Sequence, residues 1–338
     1  MLFRSSKPVN KFELLDSLVR SIAVNRDIEQ NNETAIDNFK ANLNKELYGA
    51  RILLVEDNDL NQEFVSELLS QSGIIVSVAN NGQEAIEMLS SESFDAVLMD
   101  MQMTVMDGIT ATREIRKNTE YKQLPIIALT ANVMEDAREA VFEAGMNDFA
   151  SKPLDIQQLF TTLRKWVKPK ESAEISLLSA TEPMNDIDSF PSLEGVDTEI
   201  GLNSLGNVAY RKLLLKFANR YRGFDTDFND LLKTDKESAL NLIHSLKGVS
   251  GNLFVNKVYL LTIDLEKKII EDSGEISAGV DLLQSTLHSL IQSIDEAFLI
   301  SEDEPKLSVD ESVDKQSFKS LIKEMSDLLK SYSISSID

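Results

Sequence analysis

Three carboxylates in this sequence stand at the ends of apolar runs. Glu56 and Asp57 follow Ile52-Leu53-Leu54-Val55, and Asp100 follows Ala96-Val97-Leu98-Met99. Uninterrupted apolar runs of this length fit strands buried on both faces of a parallel sheet. The carboxyl ends of such strands converge on one rim, which brings the three acids together. Like charges that close need a compensating cation or proton. Oxygen ligands with no Cys or His nearby favour a hard ion, and Mg²⁺ is the natural choice. Two further runs end in Thr130 and just before Lys152, adding a hydroxyl and a mobile ammonium suited to phosphoryl oxygens. Together these groups can transfer a phosphoryl group onto Asp100 by positioning and charge. The plain alternative is three exposed carboxylates that cap helices.

A second candidate is His244, in Ile243-His244-Ser245-Leu246-Lys247-Gly248-Val249-Ser250-Gly251-Asn252-Leu253. On a helix, Leu242, Leu246, Val249 and Leu253 fall on the side opposite His244 and form a core stripe. Gly248, Gly251 and Val255 lie within about 40° of the histidine, so it stands on a face with little side-chain bulk. Two glycines inside a helix cost roughly 1 kcal/mol each relative to Ala, which a close approach by another protein surface explains. Lys247 is one turn along, where its cation can meet a phosphoryl group on the imidazole. The alternative is an incidental surface histidine. The other histidine, His288, lies among leucines and reads as structural or solvent-facing.

The elements that must position these groups fall into two kinds. Between residues 50 and 168, five strand-like runs alternate with helical stretches: Ile52–Val55, Ile74–Ala79, Ala96–Met99, Ile126–Leu129 and Asp148–Ala150. This is an α/β pattern with parallel strands and right-handed crossovers. Residues 197–300 read as helices over Val208–Tyr221, Phe224–Leu232, Lys236 to about Leu253, Val255–Ile270 and Val280–Phe298, an up-down bundle. Residues 171–195 hold six acids, two prolines and no Lys or Arg, so 169–196 reads as an acidic linker. Residues 23–49 are a polar connector, and 301–338 an acidic break with a terminal amphipathic helix. Ser6-Lys7-Pro8-Val9-Asn10 repeats as Ser151-Lys152-Pro153-Leu154-Asp155, so residues 1–22 read as the last strand-to-helix corner of a preceding copy of the α/β domain.

Composition narrows the function further. The 338 residues carry 34 Lys plus Arg against 56 Asp plus Glu, a net charge of −22, which opposes binding to nucleic acid or an anionic bilayer. Zero Cys and two His exclude disulfides, thiolate chemistry and a multi-histidine metal centre. No apolar run is long enough to span a membrane and no secretory signal opens the chain, so a cytoplasmic location is expected.

The α/β region resembles the receiver domain of two-component signalling. The matching segments are Leu54-Val55-Glu56-Asp57-Asn58, Val97-Leu98-Met99-Asp100-Met101-Gln102-Met103, Met106-Asp107-Gly108, Ala128-Leu129-Thr130-Ala131 and Ser151-Lys152-Pro153. The resemblance implies a flavodoxin-like, doubly wound sheet of order 2-1-3-4-5. It also implies Asp100 as phosphoacceptor, Mg²⁺ held by Glu56, Asp57, Asp100 and the backbone carbonyl of Gln102, and Thr130 and Lys152 on the phosphoryl group. Thr130 and Phe149 take the switch positions. Thr104 departs from the family, which usually has Pro there.

The helical region resembles the histidine-containing phosphotransfer domain, which implies His244 as phosphocarrier with Lys247, and possible neighbours in Gln284 or His288. Phe254-Val255 replaces the family's frequent Gly-Ala. The pair of resemblances points to the C-terminal part of a hybrid sensor histidine kinase. Its partners would be a histidine kinase and a downstream receiver. No ATP-binding kinase segment is legible, so phosphate comes from elsewhere. Besides a phosphorelay, two readings stay open: a docking module controlled by phosphorylation, and a Mg²⁺-dependent phosphatase acting on small substrates.

Overall fold

A computed structural model describes residues 46–131, 135–168, 190–271 and 276–298. The expected remnant at 1–22, the terminal helix within 301–338, and most of the connector and acidic linker lie outside the described residues. Strands β1 (Arg51–Val55), β2 (Ile75–Ala79), β3 (Ala96–Asp100), β4 (Ile126–Thr130) and β5 (Asp148–Ser151) form one sheet in the order β2-β1-β3-β4-β5. Every pairing is parallel. The parallel pairing is what the alternation of runs predicts, and the strand order is the flavodoxin-like one that the receiver resemblance implies.

The period-two geometry of the strands sorts their side chains into two cores. Leu53, Val55, Val97, Met99, Ile126 and Ala128 point to one face, whereas Ile52, Leu54, Ala96, Leu98, Ile127 and Leu129 point to the other. Helices α1 (Asp59–Ser70), α2 (Gly82–Ser91), α3 (Gly108–Lys117), α4 (Glu135–Glu143) and α5 (Ile156–Trp166) alternate with the strands. Their starts are set by side chains that accept orphan amides: Asn58 from Leu60 and Asn61, Asn81 from Glu84, Asp107 from Thr110, and Asp155 from Gln158.

The second region consists of α6 (Thr198–Tyr221), α7 (Phe224–Thr234), α8 (Lys236–Asn252), α9 (Asn256–Ile270) and α10 (Ile276–Phe298). Helix α6 is two helical segments joined across a kink at Gly206, whose φ of 74° and ψ of 166° are not helical; the expected start at Val208 falls at the beginning of the second segment, and the first, from Thr198, is additional. Its hydrophobic spacing shifts phase at that glycine, which hides the first two turns from a periodicity reading. The stretch from Phe190 packs on the bundle: its ring stacks on Tyr210 at 5.7 Å and meets Phe298 at 5.3 Å, and Leu193 is buried. Among the described residues, no helix is long and apolar enough to cross a membrane.

The core on the α1 side of the sheet runs without a break into the core of the bundle. Helix α1 mediates this, packing on β2 behind and on α6 and α8 in front. The bundle is thereby held against the α/β region on the α1 side of the sheet.

Candidate functional site

The sheet places Glu56 and Asp57 just after β1, Asp100 at the end of β3 and Lys152 just after β5. Lys152 Nζ lies 2.6 Å from Glu56 Oε2 and 2.7 Å from Asp100 Oδ2, with all three side chains no more than 8% exposed. Asp57 is exposed beside them, and one carboxylate oxygen from each acid falls within 4.8 Å of the others. Three carboxylates and one ammonium sum to −3 + 1 = −2, so a divalent cation would neutralise the cluster. The donor set is all oxygen, as Mg²⁺ requires. Glu56 is also bonded by Asn61 Nδ2 at 2.9 Å, so both its oxygens already accept. Gly108 backs the acceptor closely: a Cβ there would lie 2.2 Å from the Asp100 carbonyl oxygen. The N–H of Thr104 donates to Asp57 Oδ2 at 3.1 Å, a bond that Pro at this position would lack.

Burial pushes the Asp100 carboxyl up to about 6; Lys152 pulls it down and Glu56 pushes it up. Burial opposes the charge of Lys152, yet Glu56 and Asp100 hold its pKa above the usual lysine range. A raised carboxyl pKa means that the folded protein holds this proton more tightly than the unfolded chain. In metal-free protein the stabilisation from Asp100 is therefore complete below its ordinary value of 3.8 and is lost as pH rises through about 6. Cation binding has the opposite slope, because a cation competes with that proton. Calorimetric titration with Mg²⁺ at pH 5, 6 and 7.5 is expected to show affinity falling roughly tenfold per pH unit below about 6. A flat profile would contradict a role for Asp100 in holding the ion.

On the bundle side, His244 is 31% exposed at the side chain, and its Nδ1 lies 2.9 Å from Glu266 Oε1. The other oxygen of Glu266 pairs with Lys247. Partial burial works against the Glu266 charge, but the bonds from His244 and Lys247 hold its carboxyl below the usual range. A carboxylate only accepts hydrogen bonds, so Nδ1 carries a proton, and in the neutral ring the lone pair is on Nε2. Sequence reasoning missed Glu266. Its one signal is a position bordering the buried stripe Val258, Thr262, Leu265 and Ile269 of α9, and pairing it with His244 needs the register between two helices.

The two halves share one cavity of about 600 Å³, walled by Glu56, Asp57, Asp100 and Lys152 from the sheet and by His244, Lys247 and Glu266 from the bundle. Hydrogen bonds cross between the domains. Asn58 Nδ2 donates to Ser245 Oγ at 2.7 Å, Asn252 Nδ2 to Asn61 Oδ1 at 3.0 Å, and the Leu154 N–H to Asn252 Oδ1 at 3.0 Å. A continuous chain of bonds thus runs from Asn252 through Asn61 and Glu56 to Lys152 and Asp100. The glycine face of α8 is covered by this same chain's α/β domain, so His244 opens into the shared cavity.

The two glycines differ in what covers them. A Cβ on Gly251 would lie 2.6 Å from Pro153 Cγ, whereas one on Gly248 would meet nothing nearer than Asn61 Nδ2 at 3.6 Å. Gly251→Ala is expected to destabilise the protein by about 1–3 kcal/mol, since a proline ring cannot swing aside. Gly248→Ala is expected to stabilise it by up to about 1 kcal/mol through helix propensity. Urea unfolding of the two variants checks the opposite signs.

The remaining expected residues are placed as follows. Gln102 lines the cavity, and its N–H lies 3.3 Å from Asp100 Oδ1. Thr130 is buried at the end of β4, and Ala131, one residue on, lines the cavity in its place. Phe149 is half-buried on β5 with the Arg138 guanidinium over its ring at 4.8 Å. Neither Gln284 nor His288 lines the cavity around His244; the exposed His288 borders a separate one with Arg222 and Asp295.

Comparison with known proteins places the α/β half. The family described as "Response regulator receiver domain" matches residues 52–164. Hybrid signal transduction histidine kinase M of Dictyostelium discoideum is 46% identical over 125 residues, covering 36% of this chain and 5% of that protein. The aerobic respiration control sensor protein ArcB of Escherichia coli O157:H7 is 32% identical over 209 residues, covering 60% and 26%. The signal transduction histidine-protein kinase BarA of Escherichia coli K12 is 28% identical over 238 residues, covering 69% and 25%. The chain thus spans about a quarter or less of the length of these relatives. Among solved structures, the receiver domain of a Pseudomonas aeruginosa sensor histidine kinase, with a magnesium ion in its active-site cleft, is 42% identical; it covers 35% of this chain and 97% of that one at a TM-score of 0.34.

Proposed function

We propose, from the premise that residues 52–164 are a receiver domain fused to an all-helical region like that of hybrid sensor kinases, that the chain is a phosphorelay unit passing a phosphoryl group between Asp100 and His244. In this reading residues 50–168 act as the receiver and 197–300 as the phosphotransfer bundle. The observation that carries it is the single cavity walled by both residues. Transfer from the receiver breaks the bond between phosphorus and Asp100 Oδ and forms one to His244 Nε2, releasing the Asp100 carboxylate. The reverse step exchanges the same two bonds. No proton need move, because Glu266 keeps the proton on Nδ1 throughout.

Lys152, already on Asp100, is placed to follow the phosphoryl oxygens, and Lys247 offers a second cation on the histidine side. Glu56, Asp57 and Asp100 with the Gln102 carbonyl are the groups that would hold Mg²⁺. When bound, the ion would neutralise charge on the phosphoryl oxygens. Thr130 and Phe149 would act as the switch pair. The histidine kinase that supplies phosphate and the receiver that accepts it would be separate proteins or other parts of a longer one.

Labelling with radioactive acetyl phosphate and Mg²⁺ tests the proposal. Wild type is expected to carry two phosphorylated species. Histidyl phosphate survives alkali and is lost in acid, whereas the acyl phosphate on Asp100 is lost in alkali. Asp100→Asn should abolish both and His244→Gln only the alkali-stable one. An alkali-stable label that persists in His244→Gln would overturn the reading. Label on Asp100 alone in wild type would favour a docking module.

A further inference from the structure

The face that the bundle turns to α1 is patterned by charge as well as by shape. Asp59, Glu63 and Glu67 recur every four residues on α1, and Lys212, Lys216 and Arg220 recur every four on α6. The helices run antiparallel, so the two rows meet in reversed order. Arg220 Nη1 lies 2.8 Å from Asp59 Oδ1, Lys212 Nζ lies 2.6 Å from Glu63 Oε1, and Lys216 pairs with Glu63 Oε2. Glu67 adds its charge to the surroundings of Lys212. In a chain of net charge −22 a row of three cations facing an acidic row, with Glu63 taking two of them and Asp59 the third, is a specific pattern rather than a general surface property.

A second observation concerns Phe254. This residue holds a positive φ of 59°, a conformation that costs a non-glycine residue on the order of 1 kcal/mol. Its backbone is held within the bundle by bonds to Gly251 and Asp197, and its ring meets Phe64 of α1 edge-on at 6.3 Å, a contact across to the receiver. The same docked receiver covers Gly251 and forms one wall of the cavity into which His244 opens.

We infer that the basic row Lys212, Lys216 and Arg220 is the surface by which the bundle selects receivers, and that the chain's own receiver occupies it as a resident cap. A receiver served in trans would present carboxylates on three successive turns of its first helix and would have to displace that cap. This rests on the relay reading and adds partner selection to it.

The test uses two full-length chains. The donor carries His244→Gln and is labelled at Asp100 with radioactive acetyl phosphate. The acceptor carries Asp100→Asn and offers only His244. In transfer between them, the bond from phosphorus to the donor's Asp100 breaks and a bond to the acceptor's His244 Nε2 forms. Adding Asp59→Lys with Glu63→Lys to the acceptor uncaps its bundle, and transfer is expected to rise about threefold or more. The same pair in the donor spoils the arriving receiver, and transfer should fall by a similar factor. Lys212→Glu with Lys216→Glu should show the mirror image, a fall in the acceptor and a rise in the donor. Opposite signs for one substitution in the two molecules support selection with capping. Equal signs, or no change, overturn it, because ion pairs that merely hold the fold would act alike in both. Absence of alkali-stable label in the wild-type chain itself would instead count against the relay reading.

Discussion

Lys152→Met is expected to reduce transfer between Asp100 and His244 on the order of 100-fold and to destabilise the metal-free protein by about 3 kcal/mol at pH 7. The methionine keeps the volume of the buried stem and removes only the charge, leaving Glu56 and Asp100 facing each other without the ammonium that lies 2.6 and 2.7 Å from them. The sign with pH follows from Asp100. Lys152 is what pulls its carboxyl down, so without it the pKa rises further above about 6. At pH 5 the protonated acid relieves the repulsion and most of the lost stability returns, whereas at pH 7 to 8 it does not. A divalent cation should restore stability at neutral pH, since the cluster then carries −3. Urea unfolding at pH 5 and 7.5, with and without Mg²⁺, measures each part. Equal destabilisation at both pH values would show that Lys152 acts through packing instead.

Glu266→Gln is expected to slow phosphorylation of His244 by roughly 10- to 100-fold while leaving labelling of Asp100 unchanged. The amide can donate as readily as it accepts, so the proton is no longer fixed on Nδ1 and the tautomer with Nε2 blocked becomes populated. Lys247 also loses its counter-charge, which weakens the helix pair modestly, but a packing defect alone would not change which nitrogen holds the proton. The ¹⁵N chemical shifts of the His244 ring report the tautomer directly. Wild type should show a protonated Nδ1 and the variant a mixture, and Glu266→Asp should restore part of both signal and rate. An unchanged tautomer together with an unchanged rate would remove Glu266 from the chemistry.

Much of this protein is legible in one dimension. The five runs between residues 50 and 168 become the five strands: β1, β3 and β4 are buried on both faces, which demands uninterrupted apolar sequence, whereas β2 and β5 lie at the sheet edges, only partly buried, and tolerate Ser77 and Asp148. Glu56, Asp57, Asp100 and Lys152 could be placed on a common rim because parallel strands put their carboxyl ends on one side. The outward face of His244 was legible from its angle to Leu246, Val249 and Leu253, which are all buried. The demand for close approach at Gly251 was legible too, though not what makes the approach.

Tertiary structure alone decided the rest, and the reason is register. Which residue of α9 faces His244, which turns of α6 face α1, and whether Asn252 reaches Asn61 all depend on how helices slide and rotate against each other. Those offsets are set by side-chain packing across the joined cores, a sum of many small contacts with no local signature. A helix sequence states which face is apolar, but not which residue of a distant helix will lie opposite its polar edge. Glu266 and the row Lys212, Lys216 and Arg220 therefore read in the sequence as ordinary solvated charges, and only the folded chain turns them toward His244 and α1.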